Sequence, residues 1–381
     1  MSILDSIHSP QDLKGLSEAE LDRLAEDIRE FLVENVSKTG GHLGPNLGVV
    51  ELTIALHRVF DSPSDPMIWD TGHQSYVHKI LTGRKDFSRL RQKGGLAGYP
   101  QRRESEHDIV ESSHASSSLS WAEGISRAFQ MTKQDDRYVI AVVGDGALTG
   151  GMTWEALNNI SHDNNRNLIL VVNDNGRSYA PTIGGMARFL GNVRGKDSYR
   201  LIKRLAEGFF GLFGATGRAL FRGLRGGTRG FLSRFAGNEA LYSNLDIKYL
   251  GPVDGHNIGD VEHALRQAKQ RRQPVIVHVI TDKGRGYAPA RNDEADQFHA
   301  VGQIDPATGK ALQASDSPSW TSVFADEMVA IAGEEPTVVG ITAAMLAPTG
   351  LHKMSAAYPG RVVDVGIAEQ HAVTSAAGLA Y

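Results

Sequence analysis

Three strongly apolar runs constrain this chain more than any other feature: Tyr138–Val143, Asn167–Val172, apolar from Leu168 on, and Val275–Ile280, apolar but for His278. A strand that is apolar at nearly every position is covered on both faces, which is the condition of a parallel strand inside an α/β layer. Between and around the runs lie stretches of helical period: Ser118–Met131, Thr153–Ile160, and Asp260–Arg271 with Val261, Ala264, Leu265 and Ala268 on one side. Met67–Trp69 reads as a further short buried strand ending at Asp70. Strand–helix–strand alternation predicts an α/β domain with a mostly parallel sheet flanked by helices. Upstream, Ser17 and Glu20 stand at capping-box spacing ahead of Leu21, Leu24, Ile28, Phe31 and Leu32. A long helix is therefore expected to run until Thr39-Gly40-Gly41 breaks it, with another from Val49 to Phe60.

Composition excludes several classes. The 381 residues carry 40 basic and 44 acidic side chains, so the surface as a whole is not built for nucleic acid. There is no cysteine, hence no thiolate nucleophile, disulfide or Cys-ligated metal. No apolar run is long enough for a membrane-spanning helix, and MSILDSIHSPQDL lacks a secretory signal pattern, so a cytoplasmic location is expected. One segment departs from the average. Between Arg194 and Arg234 ten basic residues face two acids, with Phe209, Phe210, Phe213, Phe221 and Phe231 among glycines. It reads as a mobile basic insertion at about 190–240 rather than an anionic-surface binder, because repeated glycine opposes a stable helix.

Residues 285–318 are polar, contain Pro289, Pro306 and Pro318, and read as a linker. A second α/β pattern follows: a helix from Trp320 to about Ala332, strands at Val338-Val339 and Val362–Val365, and a helix opening near Glu369. Two strands in about 60 residues bury too little surface to stand alone, so the chain is expected to end part-way through a second domain. The expected division is 1–284, a linker at 285–318, and an incomplete domain at 319–381.

The chemistry starts where the first buried strand ends, at Gly144-Asp145-Gly146-Ala147; the second ends at Asn173-Asp174-Asn175. Asp145 and Asn175 are 30 residues apart, one strand–helix–strand unit, so both fall at carboxyl ends of parallel strands, where α/β sheets bind ligands. A carboxylate and an amide oxygen are hard donors suited to Mg²⁺, and flanking glycines let backbone N–H groups approach phosphate. Gly-Asp-Gly alone is also good turn chemistry; the strand context and the spaced Asn favour a magnesium diphosphate.

This constellation is similar to the thiamine-diphosphate motif, and further blocks narrow the likeness. Gly40–Gly48 (GGHLGPNLG), Trp69–Tyr76 (WDTGHQSY), His78–Gly83 (HKILTG), Gly251–His256 (GPVDGH), Lys283–Pro289 (KGRGYAP), Phe298–Val301 (FHAV) and Gly366–Val373 (GIAEQHAV) resemble the 1-deoxy-D-xylulose-5-phosphate synthase family, in that family's order. The resemblance implies a thiamine-diphosphate-binding fold: a diphosphate-binding domain, then the start of a pyrimidine-binding domain that continues in the longer family enzyme. It implies thiamine diphosphate and Mg²⁺ as cofactors and pyruvate and D-glyceraldehyde 3-phosphate as substrates, the first step of non-mevalonate isoprenoid synthesis. It further implies a homodimer. Two rival readings are another transketolase-type enzyme sharing the cofactor, and a non-catalytic fragment that binds cofactor weakly.

Roles follow from the same likeness. Asp145, Asn175 and the carbonyl of Arg177 would ligate Mg²⁺. His73, Ser113, His114, Ala115, Gly146, Ala147 and Tyr287 would contact the cofactor, and Lys283 would offset diphosphate charge. His42 and His299 would face the reacting carbon. Glu369 would hydrogen-bond the aminopyrimidine; without the resemblance it reads more readily as a first-turn acid on a helix dipole. The family has Gly where Ser113 stands and Met where Arg177 stands.

Overall fold

The computed structural model describes residues 2–177, 247–312 and 317–381. Elements are numbered among these. The basic insertion read at about 190–240 lies outside the described residues.

A five-stranded, wholly parallel sheet contains β1 (Met67–Trp69), β2 (Val139–Gly144), β3 (Leu168–Asp174), β4 (Lys248–Asp254) and β5 (Val275–Ile280), in the order β1-β2-β3-β5-β4. The three apolar runs are the three central strands, and their period of two divides them between two cores. Ile140, Val142, Ile169, Val171, Val275 and Val277 face one side; Val139, Ala141, Val143, Leu168, Leu170 and Ile276 face the other. The first core is closed by α1 (Glu18–Thr39), α3 (Val50–Val59), α4 (Tyr76–Leu81) and α7 (Ile258–Gln270); the second by α5 (Ser118–Met131) and α6 (Gly151–His162). Each Val, Ile or Leu so buried contributes about 1.5–3 kcal/mol.

α1 opens on the expected capping box: Ser17 N–H donates to Glu20 Oε2 at 2.8 Å, and Glu20 N–H to Ser17 Oγ at 3.4 Å. It stops at Gly40, whose φ of 76° suits a residue without Cβ. The Gly-rich block that follows is a helix rather than a loop, α2 (Leu43–Gly48), buried along its length. Its glycines allow close approach: a Cβ on Gly44 would stand 2.0 Å from Gln297 O, and one on Gly48 3.0 Å from Asp282 O.

Residues 285–312 pack over α2. They include α8 (Ala288–Asn292), a Gly41–Val301 bridge, and buried His299 and Ile304. The C-terminal unit holds α9 (Trp320–Glu334), β6 (Gly340–Thr342), α10 (Leu351–Ala357), β7 (Val362–Asp364) and α11 (Glu369–Ala380), with β6 and β7 parallel. The strand expected at Val338-Val339 begins instead at Gly340, where its N–H donates to Arg361 O at 2.9 Å and pairing with β7 sets in; Val339 remains exposed. No helix among the described residues is long and apolar enough to cross a membrane.

Candidate active site

The carboxyl ends of β1, β2, β3 and β5 open into one cavity of about 240 Å³. Asp145 and Asn175, at the ends of neighbouring strands β2 and β3, both line it. The next residues of the Gly-Asp-Gly-Ala turn, Gly146 and Ala147, line it as well. So do His73, Ser113, His114, Ala115, Arg177, Lys283, His299 and Glu369. Two expected residues are not on its wall. His42 stands behind it, its ring 5.6 Å from that of His73 and 6.1 Å from that of His299. Tyr287 is turned into the packing beneath, 6.1 Å from the Phe298 ring, and its hydroxyl makes no hydrogen bond among the described residues.

Asn46 on α2 joins the two histidine loops. Its Nδ2 donates to His42 O at 2.7 Å and His73 O at 2.8 Å, and its Oδ1 accepts from Tyr76 N–H at 2.9 Å. Asp70 does the same for the Ser113–Ala115 turn, accepting from Ser116 N–H at 2.8 Å and Ser118 N–H at 3.1 Å. Ser116 Oγ then donates to Ala147 O at 2.7 Å, fastening that turn to the Gly-Asp-Gly loop. No role for Asp70 was read from the sequence. The available signal was position: like Asp145, it follows immediately on a buried parallel strand.

Burial sets the protonation of the basic groups. It pulls the His42 imidazole down to about 4, helped by the charges of Arg91 and Lys283, and His73 to about 3, helped by His42 and Lys283. Both rings are neutral at pH 7. Burial also draws Lys283 down to about 7, although Asp296, Asp145 and Asp293 favour its charged form. Lys283 Nζ lies 3.1 Å from His299 Nδ1, and the His73 and His299 rings stack at 5.0 Å.

The far wall comes from the C-terminal unit, through Ala343, Ala344, Met345, Ile367 and Glu369. Ile367 N–H donates to Thr149 Oγ1 at 3.0 Å and ties that unit to the loop after β2, placing the first residue of α11 at the cavity.

The donors suit a magnesium diphosphate. No group of three His, Asp or Glu side chains among the described residues is placed to hold a metal ion; a cation at this cavity would draw on one carboxylate plus amide and carbonyl oxygens. A Cβ built on Gly144 meets no described atom within 4 Å, leaving room for a phosphate against the backbone. His73 Nδ1 is buried without a hydrogen-bond partner among the described residues. Arg177 N–H donates to Asn175 Oδ1 at 3.1 Å, while its guanidinium turns outward to the carbonyls of Glu294 and Ala295. Arg177 thus lines the cavity while its guanidinium is held by backbone carbonyls away from Asn175.

A parallel sheet with Asp and Asn on adjacent strand ends, closed by a second α/β unit, defines the transketolase class of fold. Solved transketolases match it: that of Campylobacter jejuni at a TM-score of 0.52 and 15% identity, covering 92% of this chain and 62% of that one, and a transketolase mutant from Pichia stipitis at 0.52 and 17%, covering 88% and 45%. Sequence comparison is more specific. The family model for 1-deoxy-D-xylulose-5-phosphate synthase matches residues 4–281, and that for the transketolase pyrimidine binding domain matches residues 316–381. The chain belongs to the 1-deoxy-D-xylulose-5-phosphate synthase family. It is 73% identical to the enzyme of that name from Leifsonia xyli subsp. xyli and 70% identical to that from Clavibacter sepedonicus, in each case over all 381 residues but only 59% of the relative's length.

Proposed function

We propose that this chain carries the diphosphate-binding domain and the opening of the pyrimidine-binding domain of a 1-deoxy-D-xylulose-5-phosphate synthase. The reaction joins pyruvate to D-glyceraldehyde 3-phosphate with loss of CO₂, giving 1-deoxy-D-xylulose 5-phosphate. The observation that carries this reading is the meeting, in one cavity, of Asp145 and Asn175 from the sheet with Glu369 from the C-terminal unit. Domain limits of 1–284 and 319–381 with a connecting 285–318, a homodimer and a cytoplasmic location belong to the same reading.

Thiamine diphosphate, when bound, supplies the electron sink for decarboxylation and carbon–carbon bond formation. Asp145, Asn175 and the carbonyl of Arg177 would hold Mg²⁺ beside the diphosphate. Gly146 and Ala147 bring backbone close to it, and Lys283 adds positive charge. Glu369 would hold the aminopyrimidine through a hydrogen bond to its carboxylate. His299 receives a hydrogen bond on Nδ1 from Lys283, which leaves Nε2–H to donate towards substrate oxygen. His73, neutral through burial, offers the cavity hydrogen bonding without adding charge, and His42, also neutral, supports its ring from behind. Ser113, His114 and Ala115 close the side of the cavity and limit water.

Calorimetry with thiamine diphosphate, with and without Mg²⁺, tests the binding step. Mass spectrometry of products from pyruvate plus the triose phosphate tests the reaction. Mg²⁺-dependent binding that survives in Glu369→Gln supports the assignment. Binding indifferent to Mg²⁺ removes it, and a product other than the deoxypentulose phosphate reassigns the chain to another transketolase-type reaction.

A further inference from the structure

Lys283 enters the cavity from a turn whose backbone is held from behind by side chains that do not line the cavity. Arg29 on α1 donates through Nη2 to both carboxylate oxygens of Glu51 on α3, at 2.6 Å each. Glu51 Oε2 lies 3.1 Å from His256 Nδ1, in the loop after β4. His256 Nε2 lies 2.7 Å from the backbone nitrogen of Asp282, the residue before Lys283. A backbone N–H can only donate, so Nε2 carries the lone pair and the ring proton sits on Nδ1, facing the carboxylate.

The partners agree with that tautomer. Glu51 is 7% exposed. Burial opposes its charge, but the hydrogen bond from His256 and the charge and hydrogen bonds of Arg29 outweigh burial and keep the carboxyl below its usual range. The turn has no slack elsewhere. A Cβ on Gly286 would stand 2.7 Å from Arg29 Cδ, and Gly284 N–H donates to Gly44 O at 2.9 Å. Four separate parts of the fold thus converge on one amide: α1, α3, the loop after β4 and the turn after β5.

We propose that His256 is a positioning residue: through a fixed Nδ1–H tautomer it clamps the Asp282 amide and so sets where the Lys283 ammonium meets the cofactor's diphosphate. This rests on the reading of the cavity as a thiamine-diphosphate site. Imidazole is needed because one ring must give a hydrogen bond to Glu51 and take one from Asp282 on opposite sides.

Two amide replacements separate clamping from mere filling of space. His256→Asn puts an NH₂ where Nδ1 stands and has no acceptor at the Nε2 position; His256→Gln puts a carbonyl oxygen there. Amide hydrogen exchange across residues 276–288 reads the clamp without cofactor. Titration with thiamine diphosphate and Mg²⁺, with Lys283→Met alongside, reads its consequence. In His256→Asn the Asp282 amide should exchange about tenfold faster and the cofactor bind about tenfold more weakly, the scale of one lost hydrogen bond to an otherwise buried donor. His256→Gln should stay within about threefold of the parent in both. Unchanged exchange in His256→Asn, or equal losses in the Asn and Gln variants, overturns the proposal. So does normal cofactor affinity in His256→Asn beside a weakened Lys283→Met. A Lys283→Met chain that binds as tightly as the parent overturns the reading of the cavity, and the proposal with it.

Discussion

The sheet unit and the C-terminal unit obey the same α/β rules but differ in how much they enclose. The first buries apolar side chains on both faces of a five-stranded sheet, most deeply on its three central strands. The second has two three-residue strands over a buried cluster of Ala332, Leu351 and Met354. Trp320 on α9 is 91% exposed, Val373 on α11 is 74% exposed, and α11 buries no residue. Yet both units contribute to one cavity. The difference teaches that the sheet unit supplies rigid strand ends for the charged chemistry, while the C-terminal unit supplies Glu369 from a weakly packed element whose position depends on docking.

The largest test of that contrast is acid. In the unfolded chain His42 titrates near 6.5; folded, it stays neutral to about 4. As pH falls, the unfolded state therefore takes the proton first. The stability is whole above pH 6.5 and is lost progressively from there down to about 4. By about pH 5 His42 alone should have removed about 2 kcal/mol, at about 1.4 kcal/mol per unit. His73, drawn down further but facing the cavity, adds to this. Urea midpoints for the sheet unit that stay level from about pH 7 to about pH 5 would contradict this, and His42→Gln should flatten the profile.

Core truncation comes next. Leu24→Ala, in the large core, should cost about 2–5 kcal/mol and lower the main unfolding transition. Met354→Ala should leave that transition in place and instead speed proteolysis or amide exchange in residues 320–381. If both variants shift one common transition equally, the two units fold as a single cooperative body and the contrast fails.

Asp145→Ala should weaken thiamine diphosphate at least about 100-fold in the presence of Mg²⁺, about 2.7 kcal/mol, and leave unfolding of the sheet unit nearly unchanged. Titration calorimetry decides it. The smallest effect is expected at the joint. Thr149→Val removes the bond to Ile367 N–H, worth about 1 kcal/mol, and should raise amide exchange at residues 366–369 without disturbing β2.

The legible parts of the sequence were those with strong local signals. The three central strands were visible because both their faces are apolar, and α1 because its cap and its period coincide. β4 was missed: Gly251-Pro252 interrupts it, its register shifts between Leu250 and Val253, and its residues are only partly buried, as suits an edge strand. The break at Thr39-Gly40-Gly41 was legible, but α2 beyond it was not, since its own glycines argue against a helix locally; contacts with Gln297 and Asp282, far away in sequence, reward the lack of a side chain at Gly44 and Gly48. At the site, Asp145, Asn175, His73, Lys283, His299 and Glu369 were picked from motif blocks and line one cavity. Asp70 and Asn46 were not assigned roles, since each acts by holding two distant loops together.

Residue order alone carried the class of fold and the two strand ends that bear Asp145 and Asn175, because those depend on burial periodicity and on neighbours within one strand–helix–strand unit; the family came from the likeness of short motif blocks. Which histidines reach the wall, that Tyr287 turns away from it, that Lys283 is held through His256, and that Glu369 arrives opposite Asp145 and Asn175 all depend on packing between segments far apart in the chain. Such contacts leave no local period in a sequence, so they become visible only when it is folded.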